Sequence, residues 1–324
     1  MMLTEVMEHF NLTRDLTMAG YYETDHHRQL GKDVRAAIRS GRLVAIAGVM
    51  GSGKTVLLRR LQDELAREGK VLVSKSLSVD KDRTTIPTLI TALFHDLSPD
   101  KEPKIPTQGE KRERELQQLI RRGRKPIALF VDEAHDLHGK TLIGLKRLME
   151  VVADGGGMLS VVLVGHPKLR NDLRRPTMEE IGYRSVIFEF DGMAGNQAAY
   201  IRWLLGRCAV EGLSLDDMIE AAAVDLLAGR LKTPLQIEQH LAMAFEEAFR
   251  IGERTVSAAV IEGVLSRHLD DLEPRLTRHG YSVRALAEQF SAKPAEIRQF
   301  LRGELRNARA QELAQRMQAA GLPI

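Results

Sequence analysis

Leu43-Val44-Ala45-Ile46-Ala47-Gly48-Val49-Met50-Gly51-Ser52-Gly53-Lys54-Thr55 is a short apolar run, a glycine-rich turn and the start of a helical pattern that continues from Val56 to Arg67. Strand, glycine-rich loop and helix in that order form the context of a P-loop. The glycines let backbone N–H groups curl inward around an anion, and the helix N-terminus adds its positive dipole end. Lys54 then reaches the β- and γ-phosphates, and the Thr55 hydroxyl ligates Mg²⁺. Gly48, Val49, Met50, Gly51, Ser52, Gly53, Lys54 and Thr55 are therefore the candidate cradle for ATP and its magnesium ion.

Outward from this loop, residues 43–190 alternate short β-branched runs with helical patterns, which predicts a parallel sheet with helices on both faces. The predicted strands are Leu43–Ala47, Val71–Leu77, Ile127–Val131, Leu159–Val164 and Val186–Phe190. Nearly all their residues are apolar, as in strands covered on both sides. Ser98 to Gly109 is polar and Pro-rich, and Glu110 to Arg122 is helical. Beyond Phe190 the strand signals stop, and Asn196–Val210, Asp216–Leu231, Pro234–Arg250 and Ser257–Leu269 carry helical spacing with Gly or Pro between them. Pro274 and Gly280 bracket a linker, and Ser282–Ala320 is helical and arginine-rich.

The third strand, Ile127-Ala128-Leu129-Phe130-Val131, runs into Asp132-Glu133. In a P-loop enzyme the first carboxylate holds Mg²⁺, directly or through water, and the second can polarise the attacking water. Both tasks suit the carboxyl end of a strand, where ligands bind in open α/β sheets. The pair turns a nucleotide-binding reading into an ATPase reading. Asp132-Glu133-Ala134-His135 also spells the box of one helicase superfamily, but those enzymes need a second α/β domain, and residues 191–324 read as helices.

With 324 residues, 28% of them charged and 5% aromatic, the chain fits a helix-rich α/β protein of two or three units. The formal net charge is +3, so affinity for nucleic acid has to come from local patches. Cys208 is the single cysteine; it lies in an apolar helical stretch and fits a reducing compartment. No apolar run approaches the roughly 18 residues of a membrane span, and Met1 to Asn11 lacks a signal-peptide core. A cytoplasmic location follows as the expectation. Tyr21 and Tyr22 are candidates to stack on a nucleotide base or to pack locally. His26 and His27 read as solvent-facing.

P-loop, Asp-Glu strand, a further strand ending in a polar residue, an arginine before the last strand and a helical extension together resemble the AAA+ ATPases. More narrowly, Gly48–Thr55, Val131-Asp132-Glu133-Ala134-His135-Asp136-Leu137 and Val162-Leu163-Val164-Gly165-His166-Pro167-Lys168-Leu169 are similar to the ExeA-type group, which includes transposition regulators of the TniB, TnsC and MuB kind. The resemblance covers about residues 10–270. It implies an α/β AAA+ P-loop fold: a parallel five-stranded sheet between helices, an all-helical lid and a small C-terminal helix-turn-helix-like module. The corresponding divisions are a helical lead-in at 1–42, an ATPase core at 43–193, a lid at 194–272 and a tail at 273–324.

The resemblance also implies roles. His166 falls at the sensor-1 position, where the ExeA-type group commonly has Gln. Arg184 falls at the arginine-finger position, with Arg174 and Arg175 as nearby rivals. A finger acts on a neighbouring subunit's phosphate, so this assignment predicts a homo-oligomer. The lid's sensor-2 arginine is replaced: the sequence there is Lys232-Thr233-Pro234-Leu235-Gln236, leaving Lys232 or Gln236 to couple the lid to nucleotide.

Two basic stretches bear on what the ATPase acts on. Lys111 to Lys125 holds seven Lys/Arg and two Glu, and Glu273 to Arg316 holds nine Lys/Arg and five Glu. Val283–Phe290, a turn at Ser291–Lys293, and Pro294–Leu301 read as a helix-turn-helix, with Val283, Leu286, Ala287, Phe290, Ile297, Phe300 and Leu301 as its seam. Arg298 and Arg302 then lie on the exposed side of the second helix. The alternative is a small helical module that docks a protein such as a transposase. In the transposition ATPases, subunits form rings or filaments that grip duplex DNA through pore loops. The resemblance points to Lys81, Arg83 and Lys140 for such backbone contacts, with strong salt dependence. The leading expectation is an ATP-dependent AAA+ ATPase that oligomerises on duplex DNA and selects target sites or recruits a transposase. The alternatives are a secretion-type ATPase and a nucleotide-switched binding protein with little turnover.

Overall fold

The computed structural model describes residues 2–76, 84–99, 103–182, 184–193, 195–265 and 271–324. Its contacts divide into two compact units, one of residues 26–48 and 54–190 and the other of residues 1–25, 49–53 and 191–324.

The first unit is built on a five-stranded parallel sheet: β1 (Leu43–Ala47), β2 (Leu72–Lys75), β3 (Ile127–Val131), β4 (Leu159–Gly165) and β5 (Ser185–Glu189), in the spatial order β2-β3-β4-β1-β5. The alternation of side chains along each strand separates two apolar cores. Leu43, Ala45, Leu129, Val131, Val161 and Leu163 face one core with Leu89, Leu93 and Leu145. Val44, Ile46, Ala128, Phe130, Val162 and Val164 face the other with Val34, Ile38, Leu61 and Leu65. Every residue of β1, β3 and β4 is buried, which explains their unbroken apolar reading. The edge strand β5 is only half-buried along Ser185–Phe188.

Several boundaries differ from the sequence reading. β2 is shorter than predicted, β4 runs on to Gly165, and β5 starts one residue earlier. Helix Ile86–Leu97 buries Leu89, Ile90, Leu93 and Phe94 where no element was predicted. His26 is exposed as expected, but His27 is not: it is 2% exposed, with its ring centroid 4.7 Å from that of Phe190. It lies on the inner stripe of helix Asp25–Arg39, three residues before Leu30.

The second unit is helical. Gln197–Cys208, Ala221–Arg230, Pro234–Ile251 and Ala258–Val264 pack around Leu204, Leu227, Leu241 and Phe245. The longest of these starts with Pro234 in its first turn and the Thr233 hydroxyl accepting the Gln236 N–H at 3.3 Å. It ends at Gly252, whose φ of +81° is open to glycine at little cost. The predicted helix over 216–231 divides instead into a turn at Leu215–Asp217 and the helix Ala221–Arg230; Ile219, between them, bridges to Val256. Tyr22 is spent on packing, its ring 5.1 Å from Trp203 and 5.5 Å from Tyr200. Cys208 is buried, and burial pushes its thiol up to about 11, which keeps it protonated and unreactive.

The same unit carries a separate small core of Leu276, Tyr281, Leu286, Phe290, Ile297, Leu313 and Met317. Helices Val283–Gln289 and Pro294–Leu301 bracket a turn at Ser291, which has a φ of +51°. Ser282 caps the first helix by accepting the Ala285 N–H at 3.2 Å. Helix Asn307–Ala319 supplies Leu313 and Met317, so this core has contributors beyond the two-helix seam read from sequence. Among the described residues, no helix is long and apolar enough to cross a membrane.

Candidate active site

Three strands of the first unit deliver their carboxyl ends to one edge of the sheet. β1 ends at Ala47, and the Gly48 N–H then donates to the Gly165 carbonyl at the end of β4, at 3.1 Å. β3 leads into Asp132 and Glu133, and β4 into His166. This is where an open parallel sheet binds ligands.

Lys54 begins helix Lys54–Glu68 and is 5% exposed. Burial lowers its ammonium to about 8, while the carboxylates of Glu133 and Asp132 pull in the opposite direction. A buried ammonium of this kind is poised for a ligand with several negative charges. Thr55, next in the helix, donates its hydroxyl to Asp132 Oδ2 at 3.1 Å. Two oxygen donors side by side are of the kind that would hold a Mg²⁺ ion.

Glu133 adopts the left-handed conformation, φ +53° and ψ +36°, which costs a non-glycine residue on the order of 1 kcal/mol. Two features hold the turn. The Glu133 N–H donates to Asp132 Oδ1 at 2.9 Å. Lys168 donates to the His135 carbonyl at 2.9 Å and to Asp172 Oδ2 at 2.8 Å, tying the turn that follows to helix Pro167–Leu173. The bend aims the Glu133 carboxylate at two imidazoles. Its Oε2 is 3.4 Å from His135 Nδ1 and 3.8 Å from His166 Nε2, and the two rings are 3.9 Å apart at 31°. Burial, the neighbouring His166 and the cations of Lys168 and Lys54 hold His135 down to about 3, so it is neutral at physiological pH.

The glycine-rich segment has the backbone expected of a phosphate cradle. Gly51 and Gly53 have φ of +76° and +98°, and the Ser52 N–H closes a turn onto the Val49 carbonyl at 3.2 Å. Among the described residues the buried Ser52 hydroxyl has no hydrogen-bond partner, consistent with a site for a polar ligand. Residues 49–53 group with the helical unit. There the Leu235 N–H donates to the Gly51 carbonyl at 3.3 Å, and the Met50 N–H donates to the Arg278 carbonyl at 2.9 Å. A Cβ on Gly51 would stand 2.7 Å from Leu235 Cβ. Leu235, which occupies the expected sensor-2 position, therefore meets the loop by main-chain hydrogen bonding and apolar contact.

The other residues singled out from sequence lie elsewhere. Arg184 precedes β5, at the sheet edge opposite Lys54, Thr55 and Asp132, and it is exposed, with its guanidinium on Glu150 Oε1 at 2.7 Å. Of its rivals, Arg175 is bound to Asp172 at 2.7 Å, and Arg174 is exposed. Lys140, Arg298 and Arg302 are exposed. Lys81 and Arg83 lie outside the described residues. His135 was quoted in sequence only as part of a motif; its place beside His166 depends on the pairing of β3 with β4.

Residues 37–173 match the family model of an AAA domain. The chain is similar to General secretion pathway protein A of Aeromonas hydrophila, at 28% identity over 148 residues, 44% of this chain and 26% of that protein. It thus spans about a quarter of that relative. Among solved structures it is similar to Cdc6p from Pyrobaculum aerophilum, with a TM-score of 0.56 at 15% identity over 96% of this chain and 91% of that one. It is also similar to Drosophila ORC bound to DNA, with a TM-score of 0.54 at 12% identity over 97% and 83% of the two chains. At these identities the structural likeness is one of fold. Lys54, Thr55, Asp132 and Glu133 thus stand at one edge of a five-stranded parallel sheet, within the segment 37–173 that matches the AAA-domain model.

Proposed function

We propose that this protein is an ATP-hydrolysing, DNA-binding AAA+ ATPase that assembles on duplex DNA and selects target sites or recruits a transposase. The observation that carries the ATPase part is the Thr55–Asp132 hydrogen bond at 3.1 Å beside buried Lys54 and out-turned Glu133. In this reading Gly48–Thr55 hold the phosphates of ATP, and Thr55 and Asp132 hold Mg²⁺. The bound ion supplies charge neutralisation at the transferred phosphoryl group. Glu133 orients the attacking water and accepts its proton, with His166 close enough to steer the carboxylate.

Arg184 stands at the opposite sheet edge, so within one chain it cannot complete this site. It suits a finger offered to the next subunit, which makes assembly part of the catalytic cycle. Lys140, Arg298 and Arg302, together with Lys81 and Arg83, are the proposed phosphate-backbone contacts. The transposition role rests on the resemblance of the three motifs to the TniB, TnsC and MuB kind of regulator.

A second reading has its own support. Leu235 stands where a sensor-2 arginine would couple the lid to the γ-phosphate, which favours a nucleotide-switched binder with slow turnover. The similarity to a general secretion pathway protein is confined to part of that protein and so speaks for the nucleotide-binding core more than for its task.

Electron microscopy and light scattering with duplex DNA and a slowly hydrolysed ATP analogue test the assembly. Rings or filaments that need both ligands support the proposal; a particle whose size ignores them refutes it.

A further inference from the structure

Beside the Thr55–Asp132 oxygen pair lies a second donor set of different chemistry. Glu133 Oε2, His135 and His166 offer one carboxylate oxygen and two imidazole nitrogens, all within 4.8 Å of one another. They come from different places in the chain: Glu133 and His135 follow β3, and His166 follows β4. Both histidines are 7% exposed, and Glu133 is partly open to solvent, so the set has fixed walls and an approach on the carboxylate side. We propose that Glu133, His135 and His166 form a binding site for a divalent transition-metal ion of the zinc class, which arrests ATP hydrolysis by capturing the Glu133 carboxylate.

Distance favours this over chance proximity. Bonds of about 2.0–2.1 Å put the ligands of a tetrahedral zinc ion about 3.3 Å apart. Glu133 Oε2 lies 3.4 Å from His135 Nδ1 and 3.8 Å from His166 Nε2, so small side-chain rotations close the triangle. Second, buried His135 Nδ1 makes no hydrogen bond among the described residues; a nitrogen removed from water in this way is normally paired or bound to something. Third, the other nitrogen of the same ring, Nε2, lies 3.6 Å from Asp136 Oδ1. Metal-ligating histidines characteristically present their second nitrogen to a carboxylate, which fixes the tautomer. Asp136 is here a positioning residue.

The donor set also separates this site from the magnesium site. Mg²⁺ takes oxygen ligands in near-octahedral geometry, whereas two imidazoles and a carboxylate suit Zn²⁺, Co²⁺ or Ni²⁺ and leave a coordination position open. Lys54 and Lys168 oppose an extra cation, while Asp132 and Asp136 offset them. Binding depends on these three side chains, with Asp136 orienting one of them, and not on the role of Glu133 in hydrolysis. The inhibitory consequence rests on Glu133 having the role given it above.

The test reads the two parts separately. Nucleotide-free full-length protein is titrated with Co²⁺ alone, followed by its visible d–d absorption, and then with Zn²⁺ as competitor. Strong low-coordinate bands displaced by Zn²⁺ are expected. His166→Gln and His135→Asn should each lose about ten-fold or more in cobalt affinity, and Asp136→Asn about 10-fold. Circular dichroism confirms that each variant is folded. Weak octahedral bands alone, or strong bands that persist in both folded histidine variants, would overturn the site. In parallel, phosphate release is measured with Mg²⁺ and ATP in excess while Zn²⁺ is raised. Inhibition should be reversed by chelator and be weakened in Asp136→Asn by the same factor as cobalt binding. Zn²⁺ binding without inhibition would overturn the regulatory part, and absent turnover at all Zn²⁺ concentrations would instead count against the ATPase reading.

Discussion

Thr55 Oγ1 lies 3.1 Å from Asp132 Oδ2, joining the helix after the glycine-rich loop to the end of the third strand across 77 residues of sequence. As the proposed magnesium pair, these two oxygens should show their loss chiefly in metal dependence. Asp132→Asn is expected to lower Mg²⁺-dependent hydrolysis by about 10²-fold or more, as removal of a charge-stabilising group in an active site does. Thermal stability should change little, because the Asn oxygen can still accept the Glu133 N–H while its amide N–H donates to the Thr55 hydroxyl. Phosphate release measured across a Mg²⁺ series checks this; an unchanged Mg²⁺ response would remove the pair from the metal site.

In the proposed reaction Glu133 is the proton acceptor, and phosphate binding should not need it. Glu133→Gln keeps the shape and the left-handed turn, whose bond from the Glu133 N–H to Asp132 is main-chain in origin. Turnover should fall about 10²- to 10⁴-fold with ATP affinity retained. Equal loss of binding and turnover would mean that Glu133 builds the pocket and does not act on water.

Lys54 carries a cost in the nucleotide-free protein. Lowering its ammonium from 10.5 to about 8 corresponds to roughly 3 kcal/mol of destabilisation wherever both the folded and unfolded states hold the proton. That is the case below pH 8. Between pH 8 and 10.5 the unfolded chain binds the proton more tightly, so stability rises with pH across this window and levels off above it. Lys54→Met should therefore melt at a higher temperature than the native chain at pH 7, lose this alkaline gain, and fail to bind ATP. A lower melting temperature at pH 7 would show that the burial penalty is already offset in the native fold.

The sheet and the loop were legible for two physical reasons. β1, β3 and β4 are covered on both faces, so their sequences are continuously apolar, and the loop's glycines are required by the positive φ at Gly51 and Gly53. Helix Ile86–Leu97 escaped because its β-branched opening, Ile-Pro-Thr-Leu-Ile-Thr, matches a strand's composition as well as a helix's. His27 was misread because one histidine of an adjacent pair on a helix faces inward and its neighbour outward. The His135–His166 stack could not be found by spacing within the chain: it is created by strand pairing, which places residues 31 apart in sequence side by side.

Arg184 stands on the opposite edge of the sheet from the proposed magnesium pair, and a five-residue strand such as β5 is about 17 Å long. Its visible partner is Glu150, and an exposed ion pair of this kind contributes at most about 1 kcal/mol. Arg184→Ala should leave folding intact and reduce turnover of the assembled protein by about 10³-fold. Mixing makes the test sharper. Arg184→Ala supplies an intact pocket and Lys54→Ala an intact finger, so two inactive variants should regain part of the activity when combined. No regain in mixed assemblies would place the finger elsewhere, and exposed Arg174 would be the next residue to test.

Arg298 lies on the second helix of the C-terminal module and Arg302 directly follows it; the module's core of Leu286, Phe290, Ile297 and Leu313 does not use them. Their replacement by alanine should therefore leave the module folded. If each meets a DNA phosphate, binding to duplex should weaken uniformly across sequences, and the slope of log affinity against log salt should fall by about 0.9 for each arginine removed. A base-reading arginine behaves differently, since its loss relaxes preference at one position of the site. An affinity that is insensitive to both salt and these replacements would leave the exposed face of the module to a protein partner. In that case, deleting residues 273–324 should abolish partner recruitment while duplex binding persists.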